Sequence, residues 1–408
     1  MSEPDTHKSC LYLIWKNLFS LFKWTVGLGL IAGACLYLWL LIQHLQPTSL
    51  PAPGGAYPVG RTILHIIDQK RIETLAPEGE QAQRELMAFV WYPASSQEGE
   101  LAAYLPEAWA KAMQKQNGLL AIFFQHYPSI QAHARENASL ADPGAAGEGW
   151  PILILSAGYG LLPTDFTALA EDLASRGYVV AGVAPTYSAP AVVFPDGRVI
   201  EQSSQGSFPN FSTDNGKAAD DRLVEVWARD ILSTLDELAR LNSDPNSLFY
   251  NRLELGHVGA FGHSFGGAAS AEACLLDARI LAGVDLDGTL YGKAAEQGVS
   301  QPFLIIRSQP FSAKLEDMLD KSFTATLGKG AKILIIQGMA HFNFTDMALL
   351  TAPALRWVGV LGEIDGGRGM KITADYLLAF FDQQLRGAAS TLLDWPDPAY
   401  PEVTFPGQ

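Results

Sequence analysis

The stretch VGAFGHSFGG, residues 258–267, decides the fold, because a short apolar run meets the pattern Gly-x-Ser-x-Gly within it. The residues that follow are mostly small and predict a helix that can lie close against a sheet; they include Ala268, Ala269, Ala271 and Ala273. A strand that turns sharply into such a helix is a nucleophile elbow, which holds its serine in a strained conformation clear of the backbone. Gly262 and Gly266 leave room for the turn. The sequence therefore predicts Ser264 as a catalytic nucleophile.

Apolar runs alternate with helical patterns on both sides of the elbow. The predicted strands are Thr62–Gln69, Glu85–Tyr92, Ile152–Ser156, Tyr178–Ala184, Ile280–Asp285, Phe303–Arg307 and Ile333–Gln337. The predicted helices are Pro163–Arg176, Ala219–Asn242, Lys314–Thr326 and Ile372–Leu385. The first two strands are separated by a polar turn, which predicts an antiparallel entry to the sheet. The central strands are apolar on both faces and their connections are helical, so we expect an α/β fold with a mostly parallel sheet and helices on both faces.

Two regions of the outer domain are less regular. Leu105–Lys115 and Asn117–Ala134 have apolar faces and are interpreted as a partly helical insertion, either a cap over the substrate or a surface excursion. The tail after Asp394 is rich in proline and is expected to be irregular.

Composition limits the classes of function. With 48% hydrophobic and 17% charged residues among 408, the chain suits one large globular domain plus an attachment. A net charge of −15 argues against a nucleic-acid partner, because a phosphate backbone would be repelled. The histidines and cysteines lack metal-ligand spacing, and Cys274 is the one cysteine of the globular part. We therefore expect no metal, no cofactor and no internal disulfide.

The N-terminal segment predicts a membrane anchor. Residues 24–42, WTVGLGLIAGACLYLWLLI, are uncharged and long enough to cross a hydrocarbon core. Lysines precede this stretch and no lysine or arginine follows it until Arg61, which places the N-terminus in the cytoplasm and the rest outside, in the periplasm or extracellular space. A cleaved signal peptide is the alternative, but its apolar region would be shorter. The predicted organisation is a lead-in (1–23), a transmembrane signal anchor (24–42), a Pro/Gly linker (43–55) that lifts the domain away from the bilayer, and the catalytic domain (56–408).

The partners of Ser264 follow from chain order. In α/β-hydrolases the acid and then the base follow the nucleophile, and His341 is the one histidine beyond Ser264. Asp285 and Asp287 both lie at the end of the strand after the nucleophile helix. Because the chain turns at Gly288, we expect Asp287 to lie past the strand end and to reach His341. Asp285 is then a supporting carboxylate, and Asp346 is the remaining alternative for the acid.

An oxyanion intermediate needs two preorganised backbone N–H donors. Phe265, directly after the nucleophile, is predicted to supply one of them. The other is predicted to be the amide of Tyr159, in the glycine-flanked loop after the early core strand Ile152–Ser156.

Several of these stretches together resemble the plasma-type platelet-activating factor acetylhydrolase family within the α/β-hydrolases. They are ELMAFVWYP (85–93), LILSAGYG (153–160), LASRGYVV (173–180), GHSFGG (262–267), LDG (286–288) and AHFNFTD (340–346). The resemblance covers most of residues 56–390 in the same order. It implies a calcium-independent esterase that removes short or oxidised acyl groups, with Ser264, Asp287 and His341 as triad and the Tyr159 and Phe265 amides as oxyanion hole. The chain departs from the family at Ala157, where a histidine is usual.

The sequence is also compatible with other functions. Within the hydrolases, the runner-up is a broad carboxylesterase or a cutinase-like polyesterase, because acyl and alcohol pockets are built from scattered apolar residues. A non-catalytic binding domain of the same fold would normally lack a triad member, and all three are present here. A small ester or a phospholipid is therefore the expected substrate.

Overall fold

The computed structural model describes residues 6–77, 82–118, 126–144, 149–207, 214–309, 321–350 and 359–406. Its strands are β1 (Thr48–Ser49), β2 (Val59–Ile72), β3 (Gln83–Pro93), β4 (Leu101–Ala103), β5 (Ile130–Glu136), β6 (Trp150–Ser156), β7 (Val179–Ala184), β8 (Ala191–Val193), β9 (Val199–Glu201), β10 (Leu253–His263), β11 (Ile280–Leu286), β12 (Phe303–Ser308), β13 (Lys332–Ile336) and β14 (Val403–Thr404). Its helices are α1 (Thr6–Leu45), α2 (Glu107–Asn117), α3 (Thr167–Ser175), α4 (Asp214–Ser243), α5 (Phe265–Leu276), α6 (Gly292–Gln297), α7 (Met347–Leu350) and α8 (Gly366–Arg386). Residues 321–327 are helical as well, and the start of the helix predicted over Lys314–Thr326 lies outside the described residues.

One large sheet organises the domain. Within the described residues its strand order is β1-β5-β2-β3-β7-β6-β10-β11-β12-β13-β14, and β4 pairs with β5. The run from β7 to β13 is parallel, whereas β3 is antiparallel to both β2 and β7. This confirms the predicted α/β architecture and its antiparallel entry. The carboxyl ends of the parallel strands meet at one edge, which is where functional side chains of such sheets gather.

Helices cover both faces of the sheet, and each face has its own apolar core. Helices α3 and α8 pack on one face, and α4, α5 and α6 pack on the other. Helix α4 carries an apolar stripe, every member of which is at most 3% exposed: Leu223, Trp227, Ile231, Leu235 and Leu238. Strands buried on both faces then have no polar side to present, which accounts for their continuous apolar sequences.

The insertion between β4 and β6 differs from the prediction. Helix α2 is present, but the end of the interval predicted as partly helical forms strand β5, which pairs with β1 and β2. Its side chains alternate, with Ile130, Ala132 and Ala134 buried, and this period of two favours a strand over a helix. Residues 119–125 of the insertion lie outside the described part of the chain, so its role as a cap remains a hypothesis.

Helix α1 is long and largely exposed. Its apolar part, Trp15–Ile42, is 28 residues and is long enough to cross a membrane. The segment after it was predicted as a linker that lifts the domain away from the bilayer. Instead, β1 pairs with β5, and the Gly54 and Gly55 amides donate to Asp172 Oδ1 (2.8 Å) and Ser175 Oγ (2.9 Å). The segment therefore lies against the domain, and the predicted domain boundaries themselves remain a prediction.

Candidate active site

The elbow forms at the carboxyl edge of the sheet. Strand β10 ends at His263, Ser264 has φ 55° and ψ −123°, and helix α5 begins at Phe265. A Cβ on Gly262 would lie 2.2 Å from the Gly266 carbonyl oxygen, and one on Gly266 would lie 2.1 Å from that of Ser156. Neither position tolerates a side chain, because the helix packs directly on the strands. This close packing is what presents Ser264 in a left-handed conformation that few non-glycine residues adopt.

The Ser264 backbone is fixed by the neighbouring strand. Its N–H donates to the Leu286 carbonyl oxygen at 2.9 Å, at the end of β11. A Cβ on Gly288 would lie 2.4 Å from the Ser264 carbonyl oxygen, so the turn after β11 also presses against the elbow. The side chain of Ser264 is partly exposed, as an attacking hydroxyl needs to be.

Asp287 directly follows β11, as the strand-end argument predicts. Its Oδ2 is 2.8 Å from His341 Nδ1. Ser308, at the end of β12, donates its N–H to Oδ1 (2.7 Å) and its hydroxyl to Oδ2 (2.9 Å). Burial alone would raise the pKa of Asp287, but the bond and charge of His341 and the two Ser308 bonds lower it below its usual value. The carboxylate is therefore ionised beside the imidazole.

The two alternative acids occupy other environments. Asp285 is fully buried, and its Oδ1 accepts the Gly288 N–H at 2.5 Å; burial raises its pKa well above the usual value. Asp346 is also fully buried and accepts the Ala168 N–H at the start of α3 (3.2 and 3.3 Å). Among the described residues, neither carboxylate bonds to His341. Geometry therefore singles out Asp287 as the carboxylate partner of this ring.

His341 opens a short 3-10 helix, His341–Phe344, after β13 and Gly338. Its side chain is 40% exposed. The Nδ1 atom of His341 bonds to Asp287. The backbone carbonyl oxygen of His341 lies 2.8 Å from His263 Nε2. No hydrogen bond joins the Ser264 hydroxyl to His341 among the described residues. The structure thus brings the predicted acid and base into contact and places the nucleophile on the adjoining strand end.

The predicted oxyanion donors lie on two neighbouring elements. Tyr159 is in the loop after β6, which is paired with β10, and Phe265 is the first residue of α5. The Phe265 ring is held between Trp227 and Tyr291, with centroid distances of 5.0 and 5.5 Å. A fixed ring and a helix N-terminus hold the Phe265 amide in place. The assignment of both amides to the oxyanion remains a prediction.

Two contacts at this site were missed by sequence reasoning. Ser308 lies in a loop without an early carboxylate and therefore gives no sequence signal for a triad acid, yet it donates two hydrogen bonds to Asp287. The sequence pattern indicates His263 only as part of the elbow, yet its ring lies 4.4 Å from that of His341, centroid to centroid. The signal for Ser308 was its position at a strand end beside β11. For His263 no local pattern indicates a partner 78 residues away.

The known proteins to which this chain is similar are esterases and acetylhydrolases. Residues 43–391 match the family model described as platelet-activating factor acetylhydrolase, isoform II. A platelet-activating factor acetylhydrolase of Cavia porcellus is 25% identical over 365 residues, covering 85% of this chain and 80% of that protein. A probable 1-alkyl-2-acetylglycerophosphocholine esterase of Arthroderma benhamiae is 25% identical and covers 94% of this chain and 99% of its own length. The solved ferulic acid esterase from Streptomyces cinnamoneus is similar with a TM-score of 0.72 and 29% identity, over 88% of this chain and 99% of that one.

Proposed function

The chain belongs to the platelet-activating factor acetylhydrolase, isoform II, family, and on that premise we propose that it removes short or oxidised acyl groups through an acyl-enzyme on Ser264. It is a carboxylic ester hydrolase of this type. The observation that carries the assignment of the site is the 2.8 Å contact between Asp287 and His341 beside the strained elbow. The proposed substrates include the sn-2 ester of phospholipids.

The proposed mechanism follows from this geometry. The hydroxyl of Ser264 attacks the ester carbonyl carbon while His341 Nε2 takes the hydroxyl proton. Asp287 holds Nδ1–H, fixes the tautomer and stabilises the imidazolium that forms. The Tyr159 and Phe265 amides bind the oxyanion, and each such donor is worth roughly 3–4 kcal/mol in the transition state. His341 then protonates the leaving alkoxide, and water, activated by the same ring, releases the acid from Ser264.

We also propose that α1 anchors the enzyme in a membrane. Its 28-residue apolar stretch and its exposed side chains support this placement. The lysine bias before Trp24 supports an orientation with the N-terminus in the cytoplasm and the catalytic domain outside.

A broad carboxylesterase is the second candidate, because the similar solved structure is a ferulic acid esterase. The test compares kcat/KM over p-nitrophenyl esters of increasing acyl length, an acetyl and a long-chain sn-2 phosphatidylcholine, and methyl ferulate. We expect the acetyl and other short acyl esters to be hydrolysed fastest, both among the p-nitrophenyl esters and among the phosphatidylcholines. A preference for methyl ferulate, or equal rates at all acyl lengths, would favour the broad carboxylesterase. Ser264→Ala serves as the blank for every substrate.

A further inference from the structure

His263 is adjacent to both the proposed nucleophile and the proposed base. It is the last residue of β10, directly before Ser264, and it is 1% exposed. Its Nε2 lies 2.8 Å from the His341 carbonyl oxygen, and the two rings have a centroid distance of 4.4 Å. A carbonyl oxygen only accepts hydrogen bonds, so Nε2 carries the proton and donates it.

We infer that His263 is a positioning residue, whose Nε2–H holds the main chain of His341 and so keeps the catalytic imidazole in register with Ser264. The inference rests on the proposed triad. It assigns His263 no contact with substrate, since it acts through His341.

The ring of His341 needs a second restraint. Asp287 holds Nδ1 and fixes how the ring is turned, but it does not fix the backbone from which the ring projects. With 40% of its side chain exposed, His341 is not locked in place by packing. The bond from His263 restrains the carbonyl end of the same residue. One hydrogen bond is made by the side chain of His341 and the other by its backbone carbonyl. Together they fix the position of the backbone and the orientation of the imidazole ring.

His263 is suited to this role because its ring is confined and uncharged. Phe166, Phe342 and Phe344 surround it, with ring-centroid distances of 5.7, 6.3 and 6.2 Å. Burial, and then the neighbouring His341, lower its pKa to about 3. The ring therefore stays neutral at working pH and places no positive charge against an imidazolium on His341.

The same ring also contacts the loop that carries Tyr159. His263 Nδ1 is buried without a hydrogen-bond partner among the described residues. A Cβ on Gly158 would lie 2.6 Å from this atom, so the backbone of the loop closes directly on the ring. One neutral imidazole thus contacts the base and the predicted oxyanion loop, and it belongs to the residue that precedes the nucleophile.

The test compares two amides of different reach. His263→Gln carries an N–H at about the distance of imidazole Nε2, whereas His263→Asn is one methylene shorter and does not reach the His341 carbonyl. We expect His263→Asn to lower kcat for a small acetyl ester by about 10²-fold with KM changed less than about twofold, because small misplacements of catalytic groups cost this much. His263→Gln should stay within about tenfold of the parent. Active sites are counted with a fluorophosphonate, and the melting temperature is recorded for each variant.

His257→Asn is the matched control, because it changes an exposed histidine on the same strand. His263→Met, which fills the site without a donor, replaces the Asn variant if that variant does not fold, and should show the same loss. Equal kcat in His263→Gln and in the variant that cannot donate to the His341 carbonyl, Asn or its Met replacement, whether both high or both low, would overturn the positioning role. Full activity in Ser264→Ala would instead overturn the proposed triad, so the two failures are distinguishable.

Discussion

Ser264 and Asp287 leave the sheet side by side, and both have a left-handed backbone, with φ angles of 55° and 58°. The residues before them, His263 and Leu286, are paired in register on β10 and β11. A non-glycine residue in this region costs of order 1–3 kcal/mol and persists only where its surroundings fix it. The two strained residues lie at the ends of adjacent strands. A nucleophile and the acid of its triad would need side chains held in fixed orientations at these positions.

The first prediction concerns the nucleophile. A fluorophosphonate should label Ser264 covalently, because the elbow exposes its hydroxyl. Ser264→Ala should lose esterase activity down to the roughly 10³–10⁴-fold acceleration that binding and the oxyanion hole provide without a nucleophile. Peptide mass spectrometry of the labelled enzyme locates the adduct, and an adduct on any other residue would contradict the assignment.

The second prediction separates two neighbouring carboxylates. Asp287→Asn should lower kcat by up to about 10⁴-fold, because the amide no longer fixes the productive tautomer of His341. Asp285→Asn should change kcat by less than about threefold, because its oxygen still accepts the Gly288 N–H and its raised pKa already favours the neutral acid. The measurement is kcat for an acetyl ester together with the melting temperature. The reverse order of the two losses would require another triad.

The third prediction concerns the dependence of stability on pH. Burial raises the pKa of Asp165 to about 6, and it also raises those of Asp346 and Glu171, which lie near one another. Between the unfolded carboxyl values of about 4 and these native values, the folded state binds more protons than the unfolded state. The stability from these groups is therefore complete below about pH 4 and is lost as pH rises through the native pKa values.

Asp346→Asn should reduce this loss, because the amide stays neutral and still accepts the Ala168 N–H. We expect the fall in melting temperature between pH 5 and pH 8 to become smaller by about 2–4 °C. The exposed Glu98→Gln is the control and should leave the pH dependence unchanged. An unchanged fall in Asp346→Asn would mean that this carboxyl group does not carry the effect.

The fourth prediction tests how closely the elbow is packed. Gly266→Ala should lower the free energy of unfolding by about 1–3 kcal/mol, because its Cβ would overlap the backbone of Ser156. Gly369→Ala in helix α8 is the control and should keep its stability, because its Cβ would make only an ordinary contact with Ile364 Cγ2 at 3.4 Å and alanine favours a helix. Chemical denaturation measures both variants, and equal stability would show that the elbow has room for a side chain.

The fifth prediction concerns topology. Ser96 is exposed on the catalytic domain, and Cys10 precedes the apolar stretch. A membrane-impermeant maleimide should label Ser96→Cys on intact cells and should reach Cys10 only after permeabilisation. Labelling in the opposite order would reverse the proposed orientation.

Local rules account for the parts of the fold that the sequence predicts. The elbow depends on glycines at fixed spacing, and the core strands depend on continuous apolar runs. The choice of Asp287 over Asp285 depends on which of the two residues lies past the end of the strand. These features are properties of short stretches. The contact between Asp287 and His341 follows once the strand order is right.

Other features depend on distant partners and are not visible in one stretch. The sequence pattern does not indicate strand β5, because two of its three buried positions are alanine, which is a weak strand former. Strand β1 has only two residues and is a strand because β5 lies beside it. The bond from His263 to His341 joins residues that only the assembled sheet brings together.

The three hydrogen bonds to Asp287 have a consequence for where charge resides during turnover. Its oxygens accept from Ser308 twice and from His341 once, so a proton arriving on Oδ2 would compete with the Ser308 hydroxyl. Transfer from the imidazolium would need the surrounding dipoles to reorganise, and these are fixed by the end of β12. In the proposed mechanism the negative charge therefore stays on the carboxylate throughout the cycle, and the mobile proton moves only among the serine, the far nitrogen of the imidazole, the leaving group and the hydrolytic water.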